Sequence, residues 1–314
     1  TVWSARPQVT LLAASPCSSS VEISSRSQAT LESGKGLSQG GLVKTLIEKA
    51  PEAIKRLRDY GVPILERGMG YIMDRPENSS QLPGILLIKP LVEKLKNSSI
   101  KVLPGLVIFD LVVEEGEVRG AFGFSKDGKP CLIQSRAVVL ATGGAGAIYR
   151  RNDNQRSILG DGYALALRAG LSLFDLEFVQ FYPFVLGEPR LSSFLLYPPY
   201  PKEVRMFNEK GEDLLERFHL RGDLNQAIIV QRDQLSIALY NDTQSGDAFF
   251  DLTQVPQEKW EHYPLNFLKK SKFPFRERPF LISPAVHFFM GGMEIDEKGG
   301  TSLPGLFAAG EVTW

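Results

Sequence analysis

The stretch Ala137-Val-Val-Leu-Ala-Thr-Gly-Gly-Ala-Gly-Ala-Ile-Tyr149 decides how the rest of the chain is read. Residues 137–141 form a short apolar run with two β-branched valines, the pattern of a buried strand in a parallel sheet. The run ends at Thr142-Gly143-Gly144. Glycine there lets the backbone approach a ligand closely or take a positive φ. In open α/β sheets, the crevice beyond the carboxyl ends of the strands is where nucleotides bind. Taken alone, Thr-Gly-Gly reads equally well as an ordinary turn after a strand.

The flanking segments separate these readings. Gly160-Asp161-Gly162 opens a helix expected over residues 163–169, with Asp161 placed to cap it. Asp175-Leu-Glu-Phe-Val-Gln-Phe-Tyr-Pro183 follows, and far downstream stand His287-Phe-Phe-Met-Gly-Gly292 and Thr301-Ser-Leu-Pro-Gly-Leu-Phe-Ala-Ala-Gly-Glu311. In this order the five segments resemble the flavoprotein family of succinate dehydrogenase, fumarate reductase and L-aspartate oxidase. The matching stretches of that family read ATGG, GDG, MEFVQFHP, HxxMGG and TSLPGLYAAGE. The resemblance covers most of the chain. It implies an α/β fold, a Rossmann-like FAD-binding domain with an inserted α+β capping domain. It also implies an FAD-dependent oxidoreductase that moves a hydride between a small organic substrate, such as a carboxylate, and N5 of the flavin.

Composition sets the outer limits. The chain has 314 residues, enough for a large core and two domains. It is 43% hydrophobic and 23% charged, as globular proteins are. Thirty-six basic and thirty-six acidic residues cancel, so no net field draws the chain to nucleic acid or an anionic membrane. Cys17 and Cys131 are too few for a disulfide framework, zinc-type spacings are absent, and no metal is expected. No apolar run is long enough to span a bilayer, and no signal peptide opens the sequence. The expectation is a cytoplasmic protein with a small-molecule substrate and an electron donor or acceptor left open.

A dinucleotide-binding unit normally begins with a strand and GxGxxG, whose glycines seat the pyrophosphate on a helix N-terminus. That fingerprint is absent. Gln8-Val-Thr-Leu-Leu-Ala13 reads as the second strand of such a unit, and the resemblance puts the first strand just before Thr1. Two readings stay open: a truncated chain, or a degenerate member that no longer holds the cofactor. An acidic residue usually takes the ribose hydroxyls at the end of the second strand, but the position carries Ala13 or Ala14. In the relatives the serines that follow touch the pyrophosphate, which nominates Ser18 and Ser19. The histidines are His219, His262 and His287. The histidyl flavin linkage of the membrane-bound dehydrogenases therefore cannot form near the N-terminus, and FAD is expected to be held non-covalently.

Residues 21–40, rich in Ser and Gly, read as loop. Val43, Leu46, Ile47, Ala50, Ile54 and Leu57 predict an amphipathic helix over residues 42–60, ended by Gly61-Val-Pro63. A short helix is expected over residues 90–96. Residues 101–107, 108–114, 118–124 and 131–134 read as strands of a meander, with Glu115-Gly116 and Asp127-Gly128 as hairpin turns. In the relatives, backbone near the first of these strands meets the adenine, which nominates Val107 and Ile108. From residue 184 to 276 prolines and aromatics cluster, and this segment is expected to be the capping domain. The expected division is 1–183 and 277–314 for the FAD-binding domain and 184–276 for the cap.

The resemblance also nominates reacting groups. The family's acid–base residue is an arginine on a cap helix, in an Arg-Asp-x-x-x-x-Ala pattern that Arg232-Asp-Gln-Leu-Ser-Ile-Ala238 fits. A rival register pairs Arg221-Gly-Asp-Leu224 with the family's RGEL, puts Ala227 at that position and abolishes the role. His287 is expected to hold a substrate carboxylate beside the flavin, with Tyr182 and Gly291 completing the substrate set. Glu311 matches a flavin-contacting glutamate. Ala141, Thr142, Gly143, Gly144, Asp161 and Gly310 are the other expected cofactor contacts. Two departures bear on substrate. The family's HPT is Tyr182-Pro183-Phe184, and its TEAxRGEGG is replaced by Leu195-Leu-Tyr-Pro-Pro-Tyr-Pro201. Unpaired carboxylates in a closed site are costly, so succinate, fumarate and aspartate become doubtful substrates. Tyr182, Phe184, Tyr197 and Tyr200 are expected to build a more apolar, aromatic pocket. An L-aspartate-oxidase-like enzyme and a non-catalytic scaffold are the alternatives.

Overall fold

The computed structural model describes residues 20–67, 70–76, 79–187, 196, 198–244 and 246–314. The strand expected over residues 8–13, Ser18, Ser19 and Tyr197 lie outside the described residues. The chain divides into two compact units. One comprises Leu103–Trp260 and Leu268–Trp314; the other takes the chain up to Val102 and adds Glu261–Phe267.

The smaller unit is built from α1 (Ser20–Ser33), α2 (Gly40–Asp59), a β1 (Ile64–Arg67) and β2 (Gly70–Met73) hairpin, and α3 (Pro83–Lys96). Its core gathers Ile54, Val62, Ile64 and Tyr71. The apolar period predicts α2 well, and Gly61 turns the chain after it at φ 88°. The loop expected over residues 21–40 is largely helix α1, a correction. Residues 20–33 hold neither Gly nor Pro; the glycines stand at 34, 36, 40 and 41, beyond the helix end, and serine is only mildly unfavourable within a helix. Helix α3 starts earlier than expected because Pro83, not Pro90, takes the first-turn position where a missing N–H costs nothing.

The larger unit carries the motifs. Strands β3 (Val107–Glu114), β4 (Glu117–Phe124) and β5 (Pro130–Gln134) form the expected antiparallel meander. The strand expected over residues 101–107 is not there. Pro104 lacks a ladder donor and Gly105 turns at φ 76°. Next come β6 (Val138–Leu140), α4 (Asp161–Arg168), β7 (Leu173–Phe174) and β8 (Val179–Leu186). Then follow β9 (Arg205–Asn208), α5 (Leu214–Arg217), α6 (Leu224–Val230), α7 (Arg232–Asp242) and β10 (Ala248–Asp251). The chain closes with β11 (Phe280–Phe289), β12 (Gly292–Met293) and β13 (Leu306–Ala308).

Strand β13 returns to pair parallel with β6, as the opening stretch requires. Val139 is exposed, so this strand is buried on one face among the described residues, not two. Four antiparallel strands in the order β8-β11-β10-β9 make the second sheet, and α7 packs on β8 and β11. Two cores result. One, around Leu140, Tyr163, Leu165, Val286, Phe289, Leu306 and Val312, sits under the parallel pair. The other buries Phe184, Phe250, Trp260, Phe275 and Phe280 almost completely. No described helix is long and apolar enough to cross a membrane.

Candidate functional site

The parallel register Val138↔Leu306, Val139↔Phe307 and Leu140↔Ala308 makes two strands leave the sheet side by side. The backbone N–H of Ala309 donates to Leu140 O at 3.0 Å and extends the pairing by one step. Two glycine-bearing ends thus become neighbours although about 170 residues of chain separate them. Gly143 and Gly310 turn there at φ 75° and 82°, values that disfavour any side chain. Gly144 faces Glu311, and a Cβ at Gly144 would stand 2.5 Å from Glu311 Oε1.

Glu311 is only 7% exposed. Its Oε1 accepts the backbone N–H of Phe289 at 2.9 Å, which ties the end of β13 to the end of β11. Its Oε2 is buried and has no hydrogen-bond partner among the described residues. The Tyr163 hydroxyl, from α4, stands 3.1 Å from both Gly291 O and Glu311 O and donates between them. Burial first, and the nearby Glu311 charge second, push the Tyr163 pKa up, so the phenol stays a donor. Gly162 lets α4 close on Thr142, and Gly291 lets its strand close on the Phe174–Asp175 backbone. Gly143, Gly144, Gly291, Gly310 and Glu311 therefore share one junction. Asp161, exposed, starts the helix beside it. It sits inside the first turn rather than capping, because Gly160 takes the cap position at φ 86°; its charge still suits a helix N-terminus.

His287 is delivered by an irregularity in β11. Val286 pairs with Phe181 and Phe288 pairs with Gln180, so His287 is the extra residue of a β-bulge. A bulge re-aims one side chain, a device frequent beside functional sites. Its Nδ1 lies 2.5 Å from Asp153 Oδ2. Asp153 and Asn154 belong to a segment that runs along β11: Asp153 N donates to Val286 O at 3.2 Å, and Asn154 Nδ2 reaches His287 O at 3.2 Å. Sequence reasoning missed Asp153 and Tyr163. Asp153 directly follows the glycine stretch in Arg150-Arg-Asn-Asp-Asn154, and an acid beside an Asn pair there was the signal that could have found it.

The Tyr182 ring stands 5.6 Å from the His287 ring, and the Tyr182 hydroxyl donates toward Leu196 O at 3.0 Å, with Tyr200 Oη also 3.0 Å away. Tyr182, Phe184 and Tyr200 are buried and pack on one another and on Phe250. These three rings form a packed cluster rather than the lining of an open pocket. Arg232 opens α7, the helix packed against the strands that carry Tyr182 and His287, and its Nε is buried. In the rival register, Ala227 is fully buried in α6 and Arg221 is exposed, its backbone held by the Gln231 side chain. Ala141 and Thr142 are exposed at the end of β6. Val107 is exposed and pairs with Phe124 at the end of the meander. No cluster of His, Cys, Asp and Glu that could hold a metal exists among the described residues.

Residues 11–314 match the family model described as FAD binding domain. The chain is 32% identical over 306 residues to a subunit of fumarate reductase (CoM/CoB) from Methanothermobacter marburgensis, covering 90% of this chain and 55% of that one. It is 29% identical over 306 residues to an L-aspartate oxidase of a Synechocystis species, covering 90% and 54%. A solved quinol–fumarate reductase with menaquinol molecules superposes with a TM-score of 0.80 at 24% identity, over 99% of this chain and 60% of that one. The chain spans about half the length of the curated relatives it matches.

Proposed function

We propose an activity from one premise: this chain belongs to the FAD binding domain family, with L-aspartate oxidases and a fumarate reductase among its relatives. FAD is the cofactor that membership indicates. The glycine junction fits the flavin end of FAD. Gly143, Gly144 and Gly310 carry no side chain at the two strand ends, no heavy atom lies within 4 Å of where a Cβ on Gly310 would stand, and the buried Glu311 oxygen awaits a donor. When bound, FAD supplies hydride chemistry at N5 of its ring system.

The reading is an FAD-dependent oxidoreductase acting on a small organic substrate. Ala141, Thr142, Gly143, Gly144, Gly310 and Glu311 hold the ring system, Asp161 borders it, and Ser18, Ser19 and Val107 serve the pyrophosphate and adenine. The flavin is held non-covalently. His287, with Gly291 nearby, orients the substrate, and Tyr182 supports the imidazole ring from the core. Arg232 is the acid–base residue; a guanidinium gives up its proton only when buried and specially paired, and the buried Nε of Arg232 meets the first of these conditions. Residues 184–276 act as the cap that keeps water from the reacting atoms. A separate electron carrier and a cytoplasmic setting complete the proposal.

The observation that carries this reading is the convergence of Gly143, Gly144, Gly310 and Glu311 at two parallel strand ends. The test is the absorption spectrum of the purified protein after incubation with FAD, before and after acid precipitation. Bound flavin released to the supernatant by acid supports the reading, and protein that retains no flavin overturns it. Anaerobic addition of fumarate to the reduced protein and of L-aspartate to the oxidised protein then separates the fumarate-reductase-like from the aspartate-oxidase-like form. A flavin that neither acid nor any other candidate changes leaves the non-catalytic scaffold.

A further inference from the structure

We propose that Asp153 is a positioning residue for His287. It fixes the imidazole with Nδ1 protonated and turned toward the protein, so that Nε2 is the nitrogen that meets substrate. The inference rests on the reading of His287 as a substrate-facing residue.

The side chains differ in exposure: Asp153 is 6% exposed and His287 21%. The carboxylate is thus the inner member of the pair and the imidazole the outer one. A carboxylate only accepts hydrogen bonds, so across 2.5 Å Nδ1 is the donor. That choice fixes the tautomer, because the partner of one ring nitrogen decides the role of the other.

The carboxylate is held in place by the backbone. Val286 N donates to Arg151 O at 3.0 Å and Asp153 N donates to Val286 O at 3.2 Å, which brackets the bulge from one side. The Asn154 amide adds bonds to Val286 O at 3.3 Å and His287 O at 3.2 Å. A side chain at Gly146 would collide with Asn154, so the opening glycine stretch makes room for this clamp. A buried carboxylate costs free energy unless it is paired. Pairing it with a partly exposed imidazole on a bulge is a poor way to strengthen a sheet and a good way to aim a ring. Oriented imidazoles commonly owe their geometry and tautomer to such a carboxylate.

The experiment is long-range 1H–15N correlation on FAD-loaded protein labelled with 15N-histidine, with malonate as the anion probe. The wild type is expected to show Nδ1 of His287 protonated, and malonate to move the Nε2 resonance. Asp153→Ala is expected to shift the ring toward the other tautomer and to raise the malonate concentration for half-saturation by about 10–100-fold. Asp153→Asn, whose Oδ1 can accept the same bond, is expected to restore Nδ1–H. Circular dichroism and thermal unfolding of each variant separate aiming from folding. If Asp153→Ala fails to fold, Asp153→Asn carries the test, and a lost Nδ1–H there overturns the proposal. An unchanged tautomer in folded Asp153→Ala overturns the positioning role alone. A wild-type His287 that malonate leaves unmoved overturns the substrate-facing reading beneath it.

Discussion

The glycine junction and the aromatic end of the four-stranded sheet belong to the same unit and are built on opposite principles. At the junction, side chains are removed: Gly144, Gly162 and Gly291 let neighbouring segments close in, Gly143 and Gly310 turn the chain at positive φ, and Glu311 and Tyr163 satisfy the backbone groups this brings together. At the sheet end, volume is added: Phe184, Phe250 and Phe280 are almost fully buried and pack as tilted rings with centroids 5.1 and 6.2 Å apart along the row. Close packing of large rings stabilises a fold without leaving room for anything else. Glycine turns with a buried, incompletely bonded carboxylate stabilise little by themselves and make sense when a ligand completes them. The contrast teaches where to look for binding and where to look for stability.

The two regions are therefore expected to fail differently. Phe184→Ala removes a ring that touches Tyr182, Tyr200 and Phe250. It is expected to cost about 3–5 kcal/mol in urea denaturation, with flavin lost only in proportion to unfolding. Tyr163→Phe leaves two carbonyls without their donor and is expected to cost about 1–3 kcal/mol. That deficit has a pH signature. The folded-state pKa of Tyr163 is raised, so its stabilising contribution is complete below the unfolded value of about 10. The contribution is lost as pH rises through the higher folded value. Urea curves for wild type and Tyr163→Phe should stay apart up to about pH 10 and converge above it; a gap that widens with alkali would contradict the assignment.

Gly144→Ala presses a methyl group against the Glu311 carboxylate. Its expected stability cost is about 1–3 kcal/mol, but flavin retention should fall further than the unfolded fraction explains. Gly310→Ala meets open space at a positive φ, so only backbone strain remains, about 1–2 kcal/mol. If Gly144→Ala and Phe184→Ala lose flavin in the same proportion to stability, the distinction between the regions fails.

Much of the junction was legible in residues 137–149 and 301–311 because a parallel strand ending in glycine leaves a strong local mark. The apolar period over residues 42–60 likewise announced α2. What was not legible depended on partners distant in the chain. Asp153 gains meaning only when β11 bulges at His287, and a register shift leaves no trace in composition. Tyr163 reads as a core residue of α4 until Gly291 O and Glu311 O arrive on either side of its hydroxyl. Helix α1 was hidden because serine content suggested loop while the helix-breaking glycines stood just outside it. Tyr182, Phe184 and Tyr200 read as pocket walls from their replacement of polar residues, but the two tyrosine hydroxyls find each other and Leu196 O, and the rings close into core.

The central claim, that two parallel strand ends form the seat of a flavin ring system, is tested most directly by a flavin-fluorescence titration. FAD is added to the wild-type protein and to Gly144→Ala, each checked for folding by circular dichroism. The account predicts saturable quenching by the wild type and an affinity at least about tenfold weaker, ~1.4 kcal/mol, for the folded variant. Equal affinities in the two proteins, or no quenching by the wild type, would contradict it.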